Sequence, residues 1–252
     1  MSVGYDNVDI SAANLYKIPI SNTSNVLSKA TSDVAFLLML AVSRNAFNMH
    51  KKIEQGSWKS FEPTANLGIE LYGKTLGIFG LGRIGIELAK KAKAAYEMKI
   101  IYHNRKRNTE AEDLLNATYV TFDELLAQSD IISVHANLSD ETREIFDQTA
   151  FSKMKPSALF INTARGAVHN EKDLIEAIQN RTIWGAGLDV TNPEPMDKSN
   201  PLLNLPNVCV LPHIGSATLE TRDQMALMAA RNIIAALNNQ KMPQVINKEV
   251  YD

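Results

Sequence analysis

The chain has 252 residues, with 26 basic against 28 acidic side chains and a formal charge of −2; 45% of it is hydrophobic and 21% charged. This is the composition of a folded chain with a real core, not of a disordered one, and it lacks the chain-wide basic footprint of a nucleic-acid binder. The longest apolar run, Val34–Val42, has nine residues, where a bilayer span needs roughly 20. No basic-then-apolar leader follows Met1, and the expected location is cytoplasmic.

In chain order, the first periodic segment is a helix over Val34–Ile53, with Thr31-Ser32-Asp33 as cap candidates and a stop at Gly56. Its apolar face fits either a partner subunit or the chain's own core. From residue 74 onward, short apolar runs alternate with helical segments. Strands are expected at Thr75–Phe79, Lys99–Tyr102, Thr118–Val120, Ile131–His135, Ala158–Ile161, Gly187–Val190 and Val208–Leu211. Most are almost wholly apolar, as in a parallel sheet covered on both faces. Between them lie helices at Ile84–Ala95, at Glu124–Gln128 opened by the capping box Thr121-Phe122-Asp123-Glu124, and at Lys172–Gln179 capped by Asn170. Thr191–Pro206 holds four of the nine prolines and reads as an extended, irregular loop. Cys209, between Val208 and Val210, reads as a small buried core residue, not a nucleophile. A last helix is expected over Leu219–Leu237. Strand and helix in regular succession give an α/β, doubly wound parallel sheet of the Rossmann type.

The run Gly80-Leu81-Gly82-Arg83-Ile84-Gly85 directly follows the first buried strand and opens a helix, the context in which GxGxxG binds a dinucleotide. Gly80 allows the turn, Gly82 the approach of a pyrophosphate, and Gly85 close packing of helix on strand, while the helix N-terminus and Arg83 offer positive charge. An NAD site usually carries an acid about 20 residues later to hold the ribose hydroxyls. Here the stretch is His103-Asn104-Arg105-Lys106-Arg107, with no carboxylate. Guanidinium groups pair with a ribose 2′-phosphate that a carboxylate would repel, so NADP(H) is expected ahead of NAD(H). Lys106 and Arg107 each read equally as a solvated turn.

Three strands run into loops carrying reactive side chains: Asn162-Thr163-Ala164-Arg165-Gly166, Thr191-Asn192-Pro193-Glu194-Pro195 after Asp189, and Pro212-His213-Ile214-Gly215-Ser216. Reduction of a 2-keto acid needs such groups. An arginine fork holds the carboxylate or polarises the carbonyl, an imidazole with an ordinary pKa of about 6.5 protonates the developing alkoxide, and a carboxylate orients that imidazole. Singly, each reads equally as a structural group. The other histidines, His50, His103, His135 and His169, lack metal-ligand spacing, so no metal is expected.

Together with Ser2-Val3-Gly4-Tyr5-Asp6-Asn7, GLDVTNPEP and PHIGSAT, these motifs make the chain resemble the D-isomer-specific 2-hydroxyacid dehydrogenases over nearly its whole length, especially their glyoxylate/hydroxypyruvate reductase and 2-ketogluconate reductase branch. The resemblance implies Arg165, Glu194 and His213 as catalytic residues: His213 the acid/base, Glu194 its partner, Arg165 the substrate anchor. It implies Asp189 as the holder of the nicotinamide carboxamide, Thr163, Gly215 and Ser216 as cofactor-lining residues beside Gly80, Gly82, Arg83, Ile84, Gly85, Asn104 and Arg105, and Val3 and Gly4 as a carboxylate-binding turn. It also implies a homodimer built on the Val34–Ile53 helix. Trp58 resembles an aromatic at the substrate mouth, and fits packing on a dimer partner equally well.

Members of that family begin with several dozen further residues that build most of a flavodoxin-like substrate domain. The expected organisation is therefore residues 1–30 as a remnant of that domain, 31–217 as the dinucleotide-binding domain, and 218–252 as a helix and tail returning to the first, with the segment around Ile18–Ser21 and the last helix lacking partners. Two alternatives to an NADPH-dependent, D-specific 2-keto acid reductase are a dinucleotide-sensing protein resembling the C-terminal-binding-protein corepressors and a cofactor-binding remnant without turnover.

Overall fold

A computed structural model describes residues 2–251. Contacts within the chain divide it into two units, one of residues up to Ala30 together with those from Ser216 onward, the other Thr31–Gly215.

The larger unit is built on seven strands: β1 (Thr75–Phe79), β2 (Lys99–His103), β3 (Thr118–Tyr119), β4 (Ile131–Val134), β5 (Leu159–Asn162), β6 (Gly185–Leu188) and β7 (Val208–Val210). They form one sheet in the order β3-β2-β1-β4-β5-β6-β7, every pairing parallel. This is the doubly wound arrangement that the alternation of apolar runs predicts, and the order in which strands are added reverses between β1 and β4. Side chains alternate between two cores. Leu76, Ile78, Ile131, Leu159 and Ile161 face one layer, and Phe79, Ile132, Val134 and Phe160 face the other. The first layer holds α2 (Ser28–Ser43), α4 (Arg83–Tyr96) and α5 (Thr109–Leu115), and the second holds α6 (Phe122–Gln128), α7 (Gln148–Lys153) and α8 (Glu171–Gln179). Two-sided burial is why these strands show no polar alternation. The capping box of Thr121 and Glu124 forms, and Asn170 caps α8 through the amide of Asp173. Cys209 is buried, which raises its thiol pKa to about 11 and leaves it protonated and inert at neutral pH.

Several boundaries differ from the sequence reading. The single helix expected over Val34–Ile53 is two, α2 and α3 (Ala46–Glu54), separated at Asn45, whose φ is +52°. A left-handed residue cannot continue a right-handed helix. Thr31, Ser32 and Asp33 lie inside α2 instead of capping it, and α2 places Ala35, Leu38, Met39 and Val42 in the unit's own core. The sixth strand starts two residues early, so Asp189 stands just past its end. The expected extended loop contains a 3₁₀ turn at Pro201–Asn204, with Asn200 capping it. The short helices α5 and α7 had no counterpart in the reading.

In the smaller unit, α1 (Ile10–Leu15) is capped by Asp9, and α9 spans Leu219–Leu237, the residues expected. The Ile18–Ser21 segment is bonded to the C-terminal tail: Ile20 N–H donates to Asn247 Oδ1 at 2.7 Å, Ile246 N–H to Ile20 O at 2.8 Å, and Asn247 Nδ2 to Ile18 O at 2.9 Å. Among the described residues no helix is long and apolar enough to cross a membrane.

Candidate active site

In open α/β sheets ligands lie beyond the carboxyl ends of the strands where the order reverses, here β1 and β4. Gly80 follows β1 with φ +98°, and an added Cβ would stand 2.5 Å from the backbone nitrogen of Ala136, so only glycine fits. Gly85 is equally confined, its missing Cβ 2.9 Å from Ile78 on β1 and 3.0 Å from Gly80 O, which seats α4 directly on the sheet. Gly82, the residue preceding α4, is open: nothing lies within 4 Å of an added Cβ. A turn closed below, open above and ending in free helix N–H groups is a cradle for a pyrophosphate. Ile84, in the first turn of α4, contributes one of those N–H groups, with Arg83 exposed beside it.

The segment after β2 is more differentiated than its row of positive charges suggests. Asn104 is turned onto the glycine loop, its Oδ1 accepting from Leu81 N–H at 2.7 Å. Arg107 is engaged with Glu112, Nε to Oε1 at 3.0 Å and Nη2 to Oε2 at 2.6 Å, and lies over the Tyr119 ring. Arg105 and Lys106 are exposed. Arg107 is thus paired at the surface, while Lys106 is as exposed as Arg105.

Three further strand ends bring the reactive side chains. Glu194 stands between the cis peptides Asn192–Pro193 and Glu194–Pro195. Its Oε1 accepts from Thr191 N–H at 3.1 Å, and its Oε2 lies 3.0 Å from His213 Nδ1. Both side chains remain partly open, 40% and 48% exposed respectively. With Nδ1–H donated to a carboxylate, Nε2 is left as the atom that gives or takes a proton.

His213 has φ +54°, an uncommon conformation for a residue with a side chain. The next two residues explain how it is held. Asp189 is 1% exposed, and its two oxygens accept from Ile214 N–H at 2.8 Å and Gly215 N–H at 2.7 Å. Burial raises the Asp189 pKa, opposed by those two amide bonds and by His213. Gly215 fits against this carboxylate and Thr31, its missing Cβ 2.9 Å from Asp189 Oδ2. Ser216 opens the second segment of the smaller unit.

Arg165 is half-buried in the loop after β5, with Nη1 donating to Ala164 O at 2.9 Å. Gly166 binds this loop to that of Glu194, since an added Cβ would stand 2.1 Å from Thr191 O. The loops of Arg165, Glu194 and His213 thus adjoin. Thr163 is buried, with Oγ1 3.3 Å from His135 Nδ1, and His135 Nε2 is 2.9 Å from Ser133 Oγ. His135, considered from sequence only as a metal ligand, lies under the glycine loop, its ring 3.6 Å from the missing Cβ of Gly85. Its position at the end of a buried strand beside the reversal of strand order was the available signal. In the smaller unit the Val3–Gly4 turn is held internally, Val3 O accepting from Asn22 Nδ2 at 2.9 Å and Gly4 O from Ser2 Oγ at 2.6 Å. Trp58 is 67% exposed.

Residues 36–215 match the family model described as D-isomer specific 2-hydroxyacid dehydrogenase, NAD binding domain. Glyoxylate/hydroxypyruvate reductase B of Salmonella paratyphi B is 43% identical over 249 residues, covering 99% of this chain and 77% of that protein. The chain belongs to the D-isomer specific 2-hydroxyacid dehydrogenases. Members of this family act on small 2-hydroxy or 2-keto acids with a dinucleotide, so the chain is an oxidoreductase. Solved structures agree. A glyoxylate reductase from Paecilomyes thermophila superposes with a TM-score of 0.90 at 41% identity, covering 98% of this chain and 74% of that one. An NADPH-dependent glyoxylate/hydroxypyruvate reductase from Sinorhizobium meliloti, solved with citrate, gives 0.86 at 33%, covering 99% and 76%.

Two histidines of this dehydrogenase, His169 buried and His135 half-buried beneath the glycine loop, predict its acid sensitivity. Burial lowers the pKa of His135 to about 3 and of His169 to about 4, against about 6.5 when unfolded. The unfolded chain therefore binds the extra protons, and the stabilisation held above pH 6.5 is lost as pH falls toward the folded values. Each histidine contributes a slope of up to about 1.4 kcal/mol per pH unit in that window. His135→Gln is expected to flatten the fall in urea midpoint between pH 7 and pH 4.5 by about one proton's worth; an unchanged slope would refute the burial argument.

Proposed function

We propose that this dehydrogenase reduces small 2-keto acids such as glyoxylate and hydroxypyruvate to the D-hydroxy acid, with NADPH as its preferred reductant and NADH as second choice. The observation that carries the reading is the Glu194–His213 pair, fixed at 3.0 Å beside the Arg165 loop. The cofactor, when bound, supplies the hydride. Arg165 holds the substrate carboxylate through a bidentate pair. His213 holds a proton at Nε2 for the keto oxygen as it becomes an alkoxide, and Glu194 keeps Nδ1 protonated so that the correct nitrogen faces the reaction. Asp189, with its oxygens on Ile214 and Gly215, retains lone pairs for the nicotinamide carboxamide, beside Thr163, Gly215 and Ser216. Gly80, Gly82, Arg83, Ile84 and Gly85 carry the pyrophosphate, and Asn104 and Arg105 the adenosine ribose and its 2′-phosphate. The exposure of Arg105 and the named NADPH-dependent relative support NADPH.

Several coarser points belong to the same proposal. Residues 31–217 act as the dinucleotide-binding domain. Residues 1–30 and 218–252 contribute to a substrate-binding domain whose Val3–Gly4 turn offers backbone N–H groups to the carboxylate. A homodimer is supported by the exposed Leu37, Ile53, Trp58, Phe61, Leu67 and Tyr72, six large apolar side chains within residues 37–72. A cytoplasmic location fits the protonated, unpaired Cys209.

The test is NADPH oxidation followed at 340 nm with glyoxylate and with hydroxypyruvate, repeated with NADH. Turnover with both acids and a kcat/KM at least about tenfold higher with NADPH is expected, the discrimination of a charge-assisted contact. Tight NADPH binding without turnover would overturn the reading in favour of a dinucleotide sensor.

A further inference from the structure

At the end of β5 a buried polar pair stands apart from the reacting groups. Asn162 is fully buried, and its side chain is spent on its own loop: Oδ1 accepts from Ala164 N–H at 2.9 Å, and Nδ2 donates to Arg165 O at 2.9 Å and to His169 Nδ1 at 3.1 Å. His169 is 2% exposed and meets the ring of Phe160 edge-on. An amide N–H pointed at Nδ1 makes that nitrogen an acceptor and places the imidazole proton on Nε2. Nε2 has no hydrogen-bond partner among the described residues. An imidazole brings two polar nitrogens into an apolar core and is a costly way to fill space there, so packing alone does not account for a histidine here. Leucine would fill the space without that penalty.

What the histidine adds is an acceptor that fixes the orientation of the Asn162 amide. With it fixed, Asn162 clamps the backbone on both sides of the Ala164–Arg165 peptide, while Gly166 is wedged against Thr191 O on the far side. We propose that Asn162 and His169 are positioning residues, a latch that fixes the main chain at Arg165 and so sets where its guanidinium meets the substrate carboxylate. This rests on the reading of Arg165 as substrate anchor. A misplacement of about 1 Å at such a group is enough to cost orders of magnitude.

The variants Asn162→Ala, His169→Leu, His169→Asn and Arg165→Ala of the full chain separate the alternatives. Asn162→Ala and His169→Leu are expected to raise KM for the keto acid about tenfold, with a smaller fall in kcat and NADPH affinity within about twofold. His169→Asn puts an amide oxygen where Nδ1 stood. It should keep KM within about threefold of the parent although it leaves a larger cavity and a lower melting temperature than leucine does. A KM that follows melting temperature, with His169→Asn worse than His169→Leu, overturns the latch. Arg165→Ala is the reference. If it leaves KM unchanged, the anchor reading falls and the latch with it; if it raises KM and the latch variants do not, the latch alone falls. Nitrogen-15 spectra of the parent protein test the premise without any variant: His169 is expected as the Nε2–H tautomer at pH 7, and a protonated Nδ1 would overturn the proposal even if every variant failed to fold.

Discussion

His213→Ala is expected to lower kcat/KM for keto acid reduction at least about 10²-fold, the ordinary cost of a lost general acid, with NADPH affinity within about twofold of the parent. The expectation follows from how the imidazole is held. Nδ1 is tied to Glu194 Oε2 at 3.0 Å, and Glu194 is itself fixed by Thr191 N–H on its other oxygen. The backbone at His213 is in the left-handed region, and the two N–H groups that follow it end on one buried carboxylate. Such a conformation costs on the order of 1–3 kcal/mol and persists only where its surroundings over-determine it. Glu194→Gln, which keeps the size of the side chain but presents an amide to Nδ1, is expected to lose about tenfold or more through the wrong tautomer. Steady-state kinetics of both variants, with NADPH binding followed by fluorescence, check this. A His213→Ala enzyme with undiminished kcat/KM would remove the imidazole from the reaction. Equal loss of turnover and NADPH affinity would mean that the loop had collapsed.

The sheet was legible because burial on both faces leaves strands nearly free of polar residues, and each of the seven apolar runs became a strand within two residues at either end. The glycine loop was legible for the same reason: close approach leaves no substitute for Gly80 or Gly85. What failed was local. The helix over Val34–Ile53 carries continuous apolar periodicity, and its break rests on a left-handed asparagine at position 45, a choice that pattern does not encode. The helices α5 and α7 are six or seven residues long and capped by Asn108 and Asp147. They are too short for periodicity to register, although their caps were visible.

The site was legible as a set of residue types but not as a set of contacts. Spacing could offer His213 an acid and the resemblance named Glu194, yet only the fold shows the contact itself, with Asp189 accepting instead from the N–H groups of Ile214 and Gly215. Asn162 is the first letter of a motif used for its arginine; that it clamps that arginine's peptide bond depends on His169, seven residues away, returning beneath the loop. Buried polar pairs of this kind leave no periodic trace in the sequence, because each partner belongs to a different element.

Cofactor choice turns on which of the three positive charges after β2 stays available. Arg107 forms a two-pronged pair with Glu112 and lies over Tyr119, and this pair lowers the Glu112 pKa. Arg105 is exposed and is the guanidinium assigned to the 2′-phosphate. Arg105→Ala is therefore expected to weaken NADPH binding about ten- to a hundredfold, the range for a charge-assisted bond of about 1.5–3 kcal/mol, and to leave NADH within about twofold. Arg107→Ala is expected to do the reverse: little change in NADPH affinity, but a lower melting temperature as Glu112 keeps only its bond from the Tyr102 hydroxyl. Asn104→Asp separates charge from geometry, because an aspartate still accepts from Leu81 N–H while repelling a 2′-phosphate. It should shift preference toward NADH without loosening the glycine loop. Titration of each variant with both dinucleotides decides between these outcomes. Equal losses for NADPH and NADH in Arg105→Ala would place its role at the pyrophosphate or the loop, and the charge argument for NADPH would no longer stand.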